Sequence, residues 1–189
     1  MTYLVRLTDK RPDAAINAAV GEVIGDALEL WKPLRYEESW PKTGFGITNL
    51  TARAVAATNQ VTGLAGGVAG SAVWGVTAVT VSTWTDWINL AIDDRSYHIV
   101  IGVFNRTQNP SITHIRPRAN GEDLPQISLE QLYNWDLSEA YFTKPYAVRP
   151  GNNHTVRVFT ERTIAGVPAE RIGLLGYVVA KRAYLIAES

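Results

Sequence analysis

Read from the N-terminus, the alternation of apolar and polar positions changes period twice. Tyr3–Leu7 reads as a short strand or extended arm. Beyond it, Ile16, Val20, Val23, Ala27 and Trp31 recur at intervals of three and four, which places them on one stripe of a helix. Pro12 suits the first turn, Asp13 complements the positive end of the helix dipole, and Pro33 ends the pattern near Trp31, so a helix over about 12–31 is predicted. Glu22, Asp26 and Glu29 lie mostly off that stripe, and Gly21 and Gly25 cost helix stability while allowing another backbone to approach closely. The stripe fits a helix docked on its own core; a partner-docking or membrane-surface helix is the alternative, and the scarcity of basic residues argues against the membrane.

Residues 32–53 are aromatic and polar, broken by Trp40-Pro41 and Gly44-Phe45-Gly46. From Ala54 to Thr85 there is no charge at all: a glycine-rich run, Gly63–Gly75, leads into Val76–Thr85, whose β-branched residues predict a buried strand. An uncharged segment of this length is also long enough for a bilayer, but it is rich in Gly, Ala and Thr rather than Leu.

From Trp84 onward the period is that of short strands. Trp87–Ile92, Tyr97–Asn105, Ile112–Arg118, Ala140–Val148, His154–Thr160, Arg171–Lys181 and Ala183–Ala187 are separated by turn residues such as Asp93-Asp94-Arg95, Asn120-Gly121 and Pro150-Gly151. Ser128–Trp135 suits one or two helical turns behind a capping serine. The spacing leaves no room for the helices of βαβ units. The fold class expected is mainly β, a β-sandwich or jelly roll, with an N-terminal helical arm over 1–53 and the sandwich over 54–189, including the uncharged segment 54–85.

Charge sharpens this picture. Eighteen basic and eighteen acidic residues cancel over the 189-residue chain. They also cancel within 1–53 and within 86–189, so there is no basic stripe of the kind that binds nucleic acid. A net charge near zero removes long-range repulsion between copies and suits a subunit of an assembly. There are no cysteines, which rules out disulfides and thiolate metal sites. The opening MTYLVRLTDKRPDAA has no basic start followed by an apolar run, so no secretory signal is expected.

Candidate chemistry is sparse. His98, His114 and His154 have no metal-ligand spacing, and each is expected to be a sheet-surface or partly buried residue with a local hydrogen bond. Ser71 lacks the Gly-x-Ser-x-Gly elbow, and the glycine run lacks the lysine of a phosphate loop. The adjacent pairs Asp93/Asp94 and Glu37/Glu38 point to opposite faces in a strand. No catalytic residue, metal site, cofactor or small-molecule substrate is therefore assigned, and the chain is expected not to be an enzyme. Of the six tryptophans, Trp31, Trp40, Trp84, Trp87 and Trp135 are the candidate interface or binding residues. Trp84 and Trp87, flanking Asp86, are the first choice for a binding platform. Ile16, Val20, Val23 and Ala27 are the expected packing residues of the arm helix.

Three segments carry a family likeness: Gly102–Pro125 (GVFNRTQNPSITHIRPRANGEDLP), Tyr141–Phe159 (YFTKPYAVRPGNNHTVRVF) and Glu170–Ile186 (ERIGLLGYVVAKRAYLI). Their pattern resembles the single-jelly-roll capsid proteins of tailless icosahedral viruses with an internal membrane, of the type infecting thermophilic bacteria and halophilic archaea. The chain departs from the haloarchaeal members in being neutral rather than strongly acidic, and in the length of its uncharged segment. The resemblance implies a virion structural protein, a capsid subunit that packs against copies of itself and other virion proteins over an internal viral membrane, with the first fifty or so residues as an arm. Two other functions compete. One is a Trp-rich sandwich that binds carbohydrate or another ligand. The other is a membrane-active or membrane-anchored protein using the 12–31 helix or the 54–85 segment.

Overall fold

A computed structural model describes residues 6–36, 44–52, 74–76, 81–134, 136–162 and 170–182. Two antiparallel sheets face each other across one interior. The elements in chain order are β1 (Leu7–Thr8), α1 (Asp13–Leu30), β2 (Phe45–Asn49), β3 (Thr85–Ala91), β4 (Ser96–Asn105), β5 (Ile112–Ala119), β6 (Glu122–Asp123), β7 (Ile127–Ser128), α2 (Glu130–Asn134), β8 (Glu139–Val148), β9 (Asn153–Thr160) and β10 (Ile172–Lys181). The first sheet runs β1-β8-β4-β10-β2; the second runs β3-β9-β5-β6, with β7 also beside β5.

The pairing is nested. β2 pairs with β10, β3 with β9, β4 with β8, and β5 with β6 and β7, while β4·β10 and β5·β9 join these pairs into sheets. The chain changes sheet at every step from β2 to β5 and again from β8 to β10. Successive strands thus stack face to face, burying each inner face against the other sheet.

Local sequence explains the parts. In β4 almost every side chain is buried, because its two faces have different covers. Tyr97, Ile99 and Ile101 pack under α1, whereas Val100 and Val103 join the interior with Ile88, Ile115, Phe142, Val158 and Leu174. A register shift between Val100 and Gly102 inserts one residue and lets Val100 and Val103 both point inward. At Asn120-Gly121 both residues have positive φ (54° and 82°), which is what a two-residue hairpin turn needs; it joins β5 to β6. Asn120 also ties this turn to β8: its side-chain NH2 donates to Ala147 O at 2.9 Å, and its carbonyl accepts from Arg149 N at 2.8 Å.

The helix matches its prediction to within a residue at each end. Ile16, Val23 and Ala27 are buried against the outer face of the first sheet, and Val20 packs beside them half-buried. Trp31 ends the helix wedged edge-on between Phe45 at 5.3 Å and Tyr97 at 5.4 Å, with its indole N–H donating to Asp94 O. The helix therefore docks on its own sheet.

Three expectations need correcting. Residues 32–53 contain a strand, β2, which the glycine and tryptophan breaks concealed; β1 and β2 are edge strands of the first sheet, so the expected boundary at residue 53 falls inside that sheet. Val76–Thr85 is not one continuous strand, because residues 81 and 82 form a turn in which Ser82 has φ of 56°. Val76 instead makes an isolated bridge to Glu170. Most of the uncharged segment, Trp40, Trp135 and the expected strand Ala183–Ala187 lie outside the described residues. Among the described residues no helix is long and apolar enough to cross a membrane.

Candidate functional site

The two sheets differ in what covers them. α1 lies over the first, while the outer face of the second carries a row of aromatic and basic side chains. Register sets this row: Asp86 lies opposite Arg157, His114 opposite Phe159, and Arg116 opposite Arg157, so side chains from three strands share one face. Trp84 stands half-buried at its edge, 5.4 Å from Phe159, with the Arg116 guanidinium 4.6 Å over its ring. His114 packs against the other side of Phe159 at 6.2 Å. The Arg157–Asp86 ion pair at 2.8 Å and the Arg118–Asp123 pair at 3.6 Å flank the row, both with roughly half-exposed arginines. Such exposed pairs add little to stability, and the face they flank is an aromatic strip framed by guanidinium groups.

Trp87 does not share this surface. It is fully buried, 6.1 Å from Trp74, and its indole N–H donates to Gly75 O at 3.3 Å. The expected Trp84–Trp87 platform is therefore not formed, since residues three apart in a strand face opposite ways. Trp31 is buried under the helix end, so Trp84 is the predicted tryptophan that the described residues leave partly accessible on a sheet face.

The interior holds two polar clusters that the sequence did not disclose. In the first, Glu170 is buried and its carboxylate accepts from the backbone N–H of Ser111 and, at 3.1 Å, from that of Ile112. Asn105 donates to the same carboxylate at 2.9 Å and to the Tyr133 hydroxyl at 3.2 Å, and Tyr133 donates to Ile112 O. Burial raises the Glu170 carboxyl above its ordinary value, against the lowering effect of these hydrogen bonds, and burial next to Glu170 raises the Tyr133 phenol. This is a clasp joining β4, β5 and the entrance to β10.

In the second cluster, His98 of β4 and His154 of β9 face each other from opposite sheets, ring centroids 5.9 Å apart and nearly perpendicular. Tyr146 Oη lies 3.2 Å from His154 Nε2. Both ring nitrogens of His98 and Nδ1 of His154 are buried without a hydrogen-bond partner. Burial lowers His98 to about 3, helped by its neighbour His154, and lowers His154 to about 4. The expectation of a sheet-surface or partly buried histidine with a local hydrogen bond holds for His114, whose Nδ1 is 3.0 Å from Thr113 Oγ1; His154 has a partner in Tyr146 but is fully buried, and His98 is buried with none. The signal available in the sequence was the placement of His98 and His154 among inward-facing apolar positions, but only the strand order says that they meet.

Two shallow depressions lie at the end of the sandwich near the β8–β9 turn. One of about 450 Å³ is lined by Asp26, Glu29, Leu30, Tyr97, Arg149 and Pro150, and is crossed by the Arg149–Asp26 ion pair at 3.0 Å. Another of about 340 Å³ is lined by Arg118, Gly121, Asn152, Asn153 and Thr155. Neither brings a nucleophile against a base. Among the described residues no group of three or more His, Asp or Glu side chains is placed to hold a metal ion. Comparison with protein-family models, with curated proteins and with solved structures gives no match.

Proposed function

We propose that the chain is a non-enzymatic structural subunit of a virion shell, a jelly roll that works by packing against copies of itself and other virion proteins. The observation that carries this reading is the nested pairing of β2·β10, β3·β9, β4·β8 and β5·β6/β7 across two interleaved sheets. A jelly roll is a long antiparallel hairpin wound in this order, and viral capsid proteins are among its common users. Two further features support the reading. The net charge is zero, and the outer face of the second sheet offers the Trp84–Phe159–Arg116 strip for a partner.

Sizing chromatography with light scattering, and negative-stain imaging, test the proposal on the chain alone and co-expressed with the other shell proteins of its source. Particles or discrete multimers in either preparation are expected. A monomer at high concentration in both would overturn it.

A carbohydrate-binding sandwich is the second reading, because lectins share the same architecture and Trp84 presents part of its ring beside Arg116. Glycan-array binding abolished by Trp84→Ala would favour it over the shell subunit, and an array without binding would dismiss it.

A further inference from the structure

Most inward-facing side chains of the sandwich are apolar, which makes the meeting of His98 and His154 between the sheets, at the end near the β8–β9 turn, a conflict that calls for a physical reason. Neutral imidazole always carries one N–H donor and one acceptor. His98 satisfies neither, and His154 satisfies one of its two through Tyr146. Leaving buried polar atoms unmatched destabilises a fold, so the pair does not exist for neutral-pH stability. Its position does something else: the rings come from different sheets, one on β4 and the other on β9.

We propose that the His98–His154 pair is an acid-sensitive latch between the two sheets, closed while both rings are neutral and forced open when they take up protons. Charging either ring puts a cation in an apolar interior, and charging both puts two like charges on rings whose centroids lie 5.9 Å apart.

The groups facing the pair offer no relief. From β8 come Tyr146, a phenol that burial keeps protonated, and Val148, which is opposite His98 in register. β10 brings Val178 opposite His98, and β3 brings Leu90 opposite His154. On β5 the nearest registered residue is Arg118, opposite Thr155, and it is exposed and paired with Asp123. The other charged groups at this end, Arg149 with Asp26 and Arg95 with Asp93, are likewise surface pairs. No carboxylate among these groups is placed to neutralise an imidazolium.

The direction follows from linkage. Unfolded histidines bind protons near pH 6.5, whereas the folded pair resists protonation down to about 4 for His154 and about 3 for His98. Between those limits the unfolded chain holds more protons, so stability is lost as pH falls from about 6.5 toward 3. Glu170 acts in the opposite sense, because its folded carboxyl keeps a proton to higher pH than the unfolded one.

Equilibrium unfolding of the full chain in urea, repeated from pH 7.5 to 4, tests the latch. For wild type the unfolding constant should rise with acid by up to about 100-fold per pH unit, the signature of two protons taken up on unfolding. His98→Leu combined with His154→Gln, which leaves Tyr146 an acceptor, should flatten that slope by those two protons. An unchanged slope would overturn the proposal. Should the double variant not fold, proton NMR of the wild-type imidazoles decides. The His98 and His154 rings staying neutral until the protein unfolds would support the latch, and either of these two rings titrating near pH 6.5 in the folded state would overturn it. Stoichiometric zinc or nickel surviving dialysis against chelator would also overturn it, since the unmatched nitrogens would then be ligands.

Discussion

The carboxylate of Glu170 accepts a hydrogen bond from the backbone N–H of Ile112 at 3.1 Å, tying the start of β5 to the entrance of β10. With Ser111 and Asn105 as further donors, one side chain satisfies the backbone where the chain enters the second sheet. Buried N–H groups of this kind must find a partner or destabilise the fold.

Glu170→Gln tests the clasp. The amide keeps one acceptor oxygen but turns an N–H2 toward a site built from donors. A loss of about 1–3 kcal/mol is expected, because at least one buried donor is left unmatched. Urea denaturation measures it, and Glu170→Gln combined with Asn105→Ala should cost less than the sum of the two single losses, because the two residues share one hydrogen bond while Asn105 also bonds Tyr133 and Thr107.

Trp84 and Trp87 are expected to separate surface from core. Trp87→Ala should cost about 3–5 kcal/mol, as for other fully buried aromatic residues. Trp84→Ala removes a half-buried ring and its Arg116 contact and should cost about 1–2 kcal/mol. Under the shell-subunit reading, Trp84→Ala should also weaken multimers at concentrations where the folded fraction, followed by circular dichroism, is unchanged.

Two glycines should respond in opposite directions to alanine. At Gly176 an added Cβ would run into the carbonyl oxygen of Ile99 on the neighbouring strand, where the β4–β10 register shifts. Gly176→Ala is expected to cost about 1–3 kcal/mol, since backbone must move. At Gly21, on the exposed side of α1, nothing lies within 4 Å of the added Cβ. Gly21→Ala should stabilise by about 0.5–1 kcal/mol through helix propensity alone, read as a rise in thermal midpoint.

How far the sequence could carry these conclusions depended on whether the signal was local. α1 and strands β3, β4, β5, β8, β9 and β10 declared themselves through their own period and turn residues. β2 did not: Phe45–Asn49 is short, begins beside glycine, and owes its strand to pairing with Tyr177–Lys181, far along the chain. The same limit governed the interior. His98 and His154 each looked ordinary within its own strand, and their meeting is a property of sheet order. Trp84 and Trp87 are different: their spacing of three already implies opposite faces, so proximity in sequence does not give them a shared surface.

The nested ladder also has a consequence for how the protein is made. Phe45 lies opposite Lys181, and Asn49 opposite Tyr177, so the outermost pairing joins segments emerging from the ribosome far apart in time. Until β10 has been delivered, β2 and β4 both lack the strand that belongs between them. Such long-range closure slows folding, and the waiting edges are open to other nascent chains. The step most exposed to aggregation is therefore the arrival of the last long strand, and a chain truncated before Ile172 would carry that hazard permanently.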